Sequence, residues 1–142
     1  MSAIQPTEII PTLLLICTGF KPTWEEHLGY WKGEEAGIFN DSAQFVHYLV
    51  DTYEQGDAET LYSAFETIEK FMVEGTEETK QITIVGILET LQCYASHRSY
   101  GEGVFVQYLG PNSTVYWHEL ENIWEGKSSL ADVIRAEYNT NI

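Results

Sequence analysis

Basic residues are the scarcest component of this sequence. Five Lys and two Arg face 22 Asp and Glu in 142 residues, a formal charge of −15 near neutral pH. A protein that binds nucleic acid or anionic lipid neutralises phosphates with Lys and Arg, so this composition argues against DNA, RNA or a charged membrane surface as the partner. Cysteine is also rare. Cys17 and Cys93 lie 76 positions apart, in a chain long enough to fold without staples, so no disulfide framework is indicated and both are expected as reduced, buried thiols of a cytoplasmic protein. No apolar run approaches the roughly 20 residues that span a bilayer. The stretch Ile9 to Cys17 has no positive residues before it, carries Glu8, and places bulky Ile16 where cleavage before a cysteine needs a small residue. It is expected as a short buried helix rather than a leader. Linkers, low-complexity tracts and domain boundaries are missing as well.

Aromatic and aliphatic residues are plentiful. Four Trp, nine Tyr and six Phe within a 44% apolar composition carry more apolar area than a solvated acidic tail would, and enough for one core. The expectation is a single domain over 1–142.

The strongest local signals are helix starts. Gly56-Asp57-Ala58-Glu59-Thr60 and Gly75-Thr76-Glu77-Glu78-Thr79 are near copies, each placing Asp or Thr at an N-cap and Glu in the positively polarised first turn. After the first, Leu61, Phe65, Ile68 and Met72 recur at helical spacing. After the second, Ile84, Leu88 and Leu91, with Val85 and Ile87 beside them, form a broader apolar face that predicts the most buried helix. Asp41 with Gln44 resembles a capping box ahead of Phe45, Tyr48, Leu49, Thr52 and Tyr53, which predicts a helix over about 42–55. Pro22 and Thr23 lead into Trp24, Leu28 and Trp31, a shorter amphipathic segment ended by Gly33. Ser113 opens a segment with Trp117, Leu120 and Trp124, and Ser129 with Asp132 caps a last helix carrying Val133, Ile134 and Tyr138. Residues 101–110 suit a strand or one or two helical turns; a lone strand would have no partner, which favours the turns. Short connections fold consecutive helices back on each other. The predicted fold class is all-α, a single-domain stack of antiparallel helical hairpins, an irregular bundle or short repeat-like array of about six to seven helices.

Chemistry has few footholds. The four His residues, His27, His47, His97 and His118, are dispersed, and His118-Glu119-Leu120-Glu121-Asn122 has Asn122 where a zinc helix needs its second ligand. Cys93 sits among Ile87, Leu91 and Tyr94, where desolvation would leave a thiol inert even with His97 one turn away. Glu69 and Glu89 each follow an apolar helix residue; they read as carboxylates at the core edge that receive bonds from Lys, Tyr or backbone donors. No phosphate loop, dinucleotide fingerprint or nucleophile elbow occurs. No catalytic residue, cofactor or metal is expected, and the chain is not expected to be an enzyme.

What remains is surface character. Residues 1–50 hold two basic and six acidic side chains, 51–101 three and ten, and 102–142 two and six, so acidity is global but densest in the middle. Some of it complements helix dipoles. Interleaved with aromatics, the rest suits a cationic protein partner, and the candidate contact residues are Trp24, Glu25, Glu26, Tyr30, Trp31, Glu34, Glu35, Glu77 and Glu78.

The order Phe65-Glu66-Thr67-Ile68-Glu69, Glu74-Gly75, Gly86-Ile87-Leu88-Glu89-Thr90-Leu91-Gln92, Leu109-Gly110-Pro111-Asn112-Ser113 and Trp117 to Trp124 resembles a family of small uncharacterised bacterial helical proteins. The resemblance spans roughly residues 20–125. Members look like cytoplasmic immunity proteins of polymorphic or contact-dependent toxin systems. The resemblance implies a protein that binds and blocks a cognate toxin, often a basic nuclease, and brings no catalytic residues with it. The alternative is a helical adaptor, without catalytic activity, that binds a small molecule or peptide.

Overall fold

Two turns of nearly the same sequence begin two of the helices, and each uses the cap its sequence offers. In the computed structural model, which describes residues 2–127, Asp57 accepts a hydrogen bond from the Thr60 backbone N–H at 3.1 Å, and Thr76 Oγ1 accepts one from Thr79 N–H at 3.1 Å. Their glycines serve different ends. Gly56 has φ +78°, the left-handed region where a side chain is strained. Gly75 is extended, and it is needed for room: a Cβ there would run into the Phe71 carbonyl and lie 2.7 Å from Thr79 Cγ2. The N-terminal segment also crosses at this point. Ile4 donates to the Glu74 carbonyl at 2.9 Å, and its own carbonyl accepts from Thr76 N–H at 3.0 Å and Thr79 Oγ1 at 2.7 Å.

The described residues form α1 (Ile9–Ile16), α2 (Lys21–Trp31), α3 (Ile38–Glu54), α4 (Ala58–Glu74), α5 (Glu77–Ile82), α6 (Thr90–Ser96) and α7 (Pro111–Lys127). A π-helical segment, Thr83–Glu89, joins α5 to α6 without a break, and 3-10 turns occupy Pro6–Glu8, Thr18–Phe20 and Glu102–Tyr108. No strand occurs among the described residues, so the fold is all-α as predicted. Central α3 packs against α2, α4, α6 and the π segment, making an irregular bundle. Its core holds Phe20, Phe45, Phe65, Phe71, Phe105 and Trp117, all fully buried; burying such a side chain contributes on the order of 1.5–3 kcal/mol. Within the ambiguous 101–110 stretch, Glu102–Tyr108 forms 3-10 turns, which insert Phe105 between Tyr53, 5.4 Å away between ring centres, and Phe65, 6.1 Å away.

Several expectations need correction. α3 starts at Ile38, three residues ahead of Asp41, so Asp41 lies in the first turn and does not cap the helix. In the segment after Thr76, Ile87, Leu88 and Leu91 are buried, but Val85 is exposed and Ile84 only half-buried. Hydrogen bonds to the fifth residue widen the π turns and shift the phase of the apolar face away from a 3.6-residue period. α1 buries Ile9, Ile10 and Leu13 and exposes Leu15 and Ile16, so only one face of it is core. Of the two cysteines, both free, Cys17 is buried and its thiol pushed up to about 11 by burial, whereas Cys93 is exposed on the outer side of α6. The expected helix with Ser129, Asp132, Val133, Ile134 and Tyr138 lies outside the described residues.

α7 is attached to the bundle through a carboxylate. Glu69, from α4, accepts from Asn112 N–H and Nδ2 at 2.9 and 2.8 Å through Oε2, and from Ser113 N–H and Oγ at 2.9 Å each through Oε1. It caps the first turn of α7 from another helix, where both free N–H groups and the dipole favour negative charge. Burial alone would raise its pKa, but the bonds from Asn112 and Ser113 outweigh burial and hold it below the usual carboxylate value. Gly110 makes this possible, since a Cβ there would lie 2.5 Å from Glu69 Cδ.

Candidate partner-binding site

α2 carries Trp24, His27, Leu28 and Trp31 at spacings of three and four, all on one face. With Pro22 in its first turn and Lys32 in the left-handed conformation (φ 52°) closing it, the helix is short and its ends are well defined. A stripe of this kind ordinarily seals against a core. Here the most buried member is polar: His27 is 7% exposed, while Trp24 and Trp31 are half-buried and Leu28 is 49% exposed.

A buried imidazole needs a hydrogen-bond partner. Asp41 of α3 provides it, with Oδ1 2.8 Å from His27 Nε2. The ring is flanked by Trp24, 5.4 Å away between ring centres, and Trp31, 6.4 Å away. This explains what Asp41 does in place of capping: it ties α2 to α3 through the one polar group of the stripe.

Beside that tie the loop from Lys32 to Gly37 leaves a pocket of about 530 Å³, with Trp24, Leu28, Trp31 and Ile38 as its apolar walls and Glu34, Glu35 and Asp41 as its charged ones. No Lys or Arg lines it. On the other side of His27 a second, more polar cleft of about 530 Å³ is lined by Glu26, Tyr30, His47 and Asp51, sharing His27 and Trp31 with the first. Tyr30 is 79% exposed and sits edge-on to Trp31 at 6.0 Å. Burial lowers the His47 pKa, Asp51 opposes the shift and Arg98 adds to it, which keeps this ring toward its neutral form.

Six of the nine candidate contact residues therefore converge on α2 and the loop after it: Trp24, Glu26, Tyr30, Trp31, Glu34 and Glu35 line one cleft or the other. Glu25 points elsewhere, exposed and 4.0 Å from Lys21. Glu77 and Glu78 sit in the first turn of α5, Glu77 lies 3.4 Å from Lys80, and neither lines either cleft. Their position is that of dipole-complementing acids. His27, Leu28 and Asp41 belong to the site although the sequence did not single them out for it. The available signal was the placement of His27 three residues after Trp24 and four before Trp31, on the same helical face.

The charge left over is negative. Lys21, Lys80 and Arg98 each lie beside one of the chain's own carboxylates, and Arg98 also donates to Tyr94 Oη at 2.8 Å. Among the described residues no ion pair reaches Glu34 or Glu35. The other carboxylates of interest have different environments. Glu69 is occupied as the α7 cap, and Glu89 is half-buried, with burial raising its pKa. Among the described residues no three His, Cys, Asp or Glu side chains gather so as to hold a metal ion, and no helix is long and apolar enough to cross a membrane.

Residues 10–125 match the family described as a domain of unknown function, DUF7674, and the chain belongs to it. Neither the curated proteins nor the solved structures contain a match to the chain.

Proposed function

We propose that this protein is an immunity protein, a non-enzymatic inhibitor that binds a cognate bacterial toxin domain of basic character, such as a nuclease, by acidic and aromatic surface complementarity and covers its working surface. The observation that carries this reading is the α2–α3 face, where half-buried tryptophans and carboxylates without cationic partners share one open pocket. Aromatic anchors surrounded by charge of one sign are what a tight interface with an oppositely charged protein requires. The overall excess of negative charge would steer a cationic partner into encounter and speed association. The resemblance over roughly residues 20–125 to small bacterial helical proteins that look like cytoplasmic immunity proteins supports the same reading.

Co-expression with the product of the adjacent gene tests the reading. Binding that survives purification, together with relief of that product's toxicity, is the expected result. A neighbour that is neither toxic nor bound at micromolar concentration overturns it.

A second reading has an observation of its own. A pocket of about 530 Å³ falls within the range of about 300–1,000 Å³ typical of small-molecule sites, so an adaptor that binds a metabolite or peptide is the alternative. A ligand that binds only the folded state would raise the melting temperature in a thermal-shift screen.

A further inference from the structure

We infer that the pocket between α2 and the 32–37 loop receives an arginine side chain projecting from the partner protein. The inference rests on the reading of this chain as a binder of a cationic protein and names what enters its site. Three properties of the pocket combine to select the guest. Its apolar walls, Trp24, Leu28, Trp31 and Ile38, suit an aliphatic stem and a flat head group. Indole rings attract cations through their quadrupole, and a planar guanidinium, which is weakly hydrated, exploits this better than the compact and strongly hydrated ammonium of lysine. Glu34 and Glu35 can accept the fork of N–H donors that a guanidinium presents.

Asp41 is the third carboxylate of the lining, but its Oδ1 is already bonded to His27 Nε2 at 2.8 Å. The carboxylates whose oxygens are all left for a ligand are therefore those of Glu34 and Glu35, which no hydrogen bond or ion pair of the described residues engages. A neutral apolar guest would press against these two carboxylates and desolvate them without compensation. A free small cation would satisfy them but leave the outer side of Leu28, 49% exposed, uncovered at the opening. A guest carried on a polypeptide covers it, because its backbone and neighbouring residues lie over that rim.

The test follows the tryptophan indole N–H resonances of the full-length, isotopically labelled protein, with Trp24 and Trp31 assigned by Trp→Phe variants. The probes are blocked tripeptides, Gly-Arg-Gly, Gly-Lys-Gly and Gly-citrulline-Gly, the last keeping the shape of arginine without its charge, and free guanidinium ion. The Arg peptide is expected to move the Trp24 and Trp31 signals saturably at millimolar concentration, with the Lys peptide weaker by about fivefold or more and the citrulline peptide without effect. Guanidinium ion alone should bind more weakly than the Arg peptide, and equal or tighter binding of the bare ion overturns the assignment to a protein-borne side chain. Trp117, fully buried in the core, should not move and reports that the fold is intact. In the double variant Glu34→Gln, Glu35→Gln, binding of the Arg peptide should weaken by about fivefold or more. Equal shifts with the citrulline peptide, no saturable shift with the Arg peptide, or an unaltered affinity in the double variant each overturn the inference. If these fail while the neighbouring gene's product is still captured, the arginine assignment is lost and the reading of the chain as an inhibitor stands; if that product is not captured either, both fall.

Discussion

Glu69 and the pair Glu34–Glu35 show two uses of the same chemical group. At the start of α7, Glu69 is met by four donors from Asn112 and Ser113, and its charge is consumed in attaching one helix to another. On the α2–α3 face, Glu34 and Glu35 stand beside indoles in an open pocket with no cation in its lining. The first region is a finished piece of folding, and removing its carboxylate leaves a helix end unsatisfied. The second has apolar and anionic surface that the fold itself does not pair, which is the pattern of a surface completed by something else. The difference also shows that local charge density is a poor guide to a binding site: acidic residues are densest over 51–101, yet much of that excess, Asp57, Glu69, Glu77 and Glu78 among it, serves helix ends.

The comparison can be broken in several places. The largest effect should come from Glu69→Ala. Charged hydrogen bonds contribute about 1.5–3 kcal/mol each and do not add fully, so the variant should lose about 3 kcal/mol in urea unfolding. A loss below about 1 kcal/mol would mean that the cap is incidental. Gly110→Ala should follow at about 1–3 kcal/mol, because the added Cβ drives Glu69 out of its bonds. Trp31→Ala should weaken capture of the partner by about 2 kcal/mol, roughly 30-fold in Kd, as the loss of an aromatic anchor does. If its effect on binding is no larger than that of Glu77→Gln, measured by the same titration, the site is misplaced.

The next effect concerns pH. Glu69 has a folded pKa below its unfolded value, so the stability it contributes is present above the ordinary carboxylate range and is lost as pH falls through the lowered value. Glu69→Gln should therefore narrow the stability gap to wild type in acid. Glu89 runs the other way. Burial raises its folded pKa, so its contribution is most favourable below the ordinary value and is lost as pH rises through the raised one. Glu89→Gln should gain stability at pH 7, within about 1 kcal/mol, and the gain should vanish in acid. Smallest of all, Glu34→Gln and Glu35→Gln should leave stability within about 0.5 kcal/mol while slowing partner association and flattening its salt dependence.

Much of the helical architecture was legible before the structure because its determinants are local. A cap at Asp57 or Thr76 and the acids behind it act within one turn, and the apolar periods of α3 and α4 act within one helix. The 101–110 stretch was legible by exclusion, since an unpaired strand leaves backbone groups unsatisfied. Where reading along the chain misled, a distant residue had intervened. Asp41 has the spacing of a cap and is taken by His27; Cys93 sits in an apolar stretch whose phase the π segment shifts, and faces solvent. Glu69 was recognised as a carboxylate at the core edge awaiting donors, but that those donors begin another helix 43 residues on depends on contact. The candidate site divides in the same way. Trp24, Trp31, Glu34 and Glu35 stood out as aromatic and acidic neighbours in sequence; His27 and Leu28 did not, because burial and exposure on one helical face are decided by what packs against it.

By itself the sequence determined that this chain is acidic, helical and equipped with one core, since charge, capping and amphipathic period are properties of residues and their near neighbours. Only the tertiary structure decided which carboxylates are consumed by the fold and which are left to face a partner. That distinction depends on the donors brought within about 3 Å of each group, and such proximity is created when helices far apart in sequence pack together.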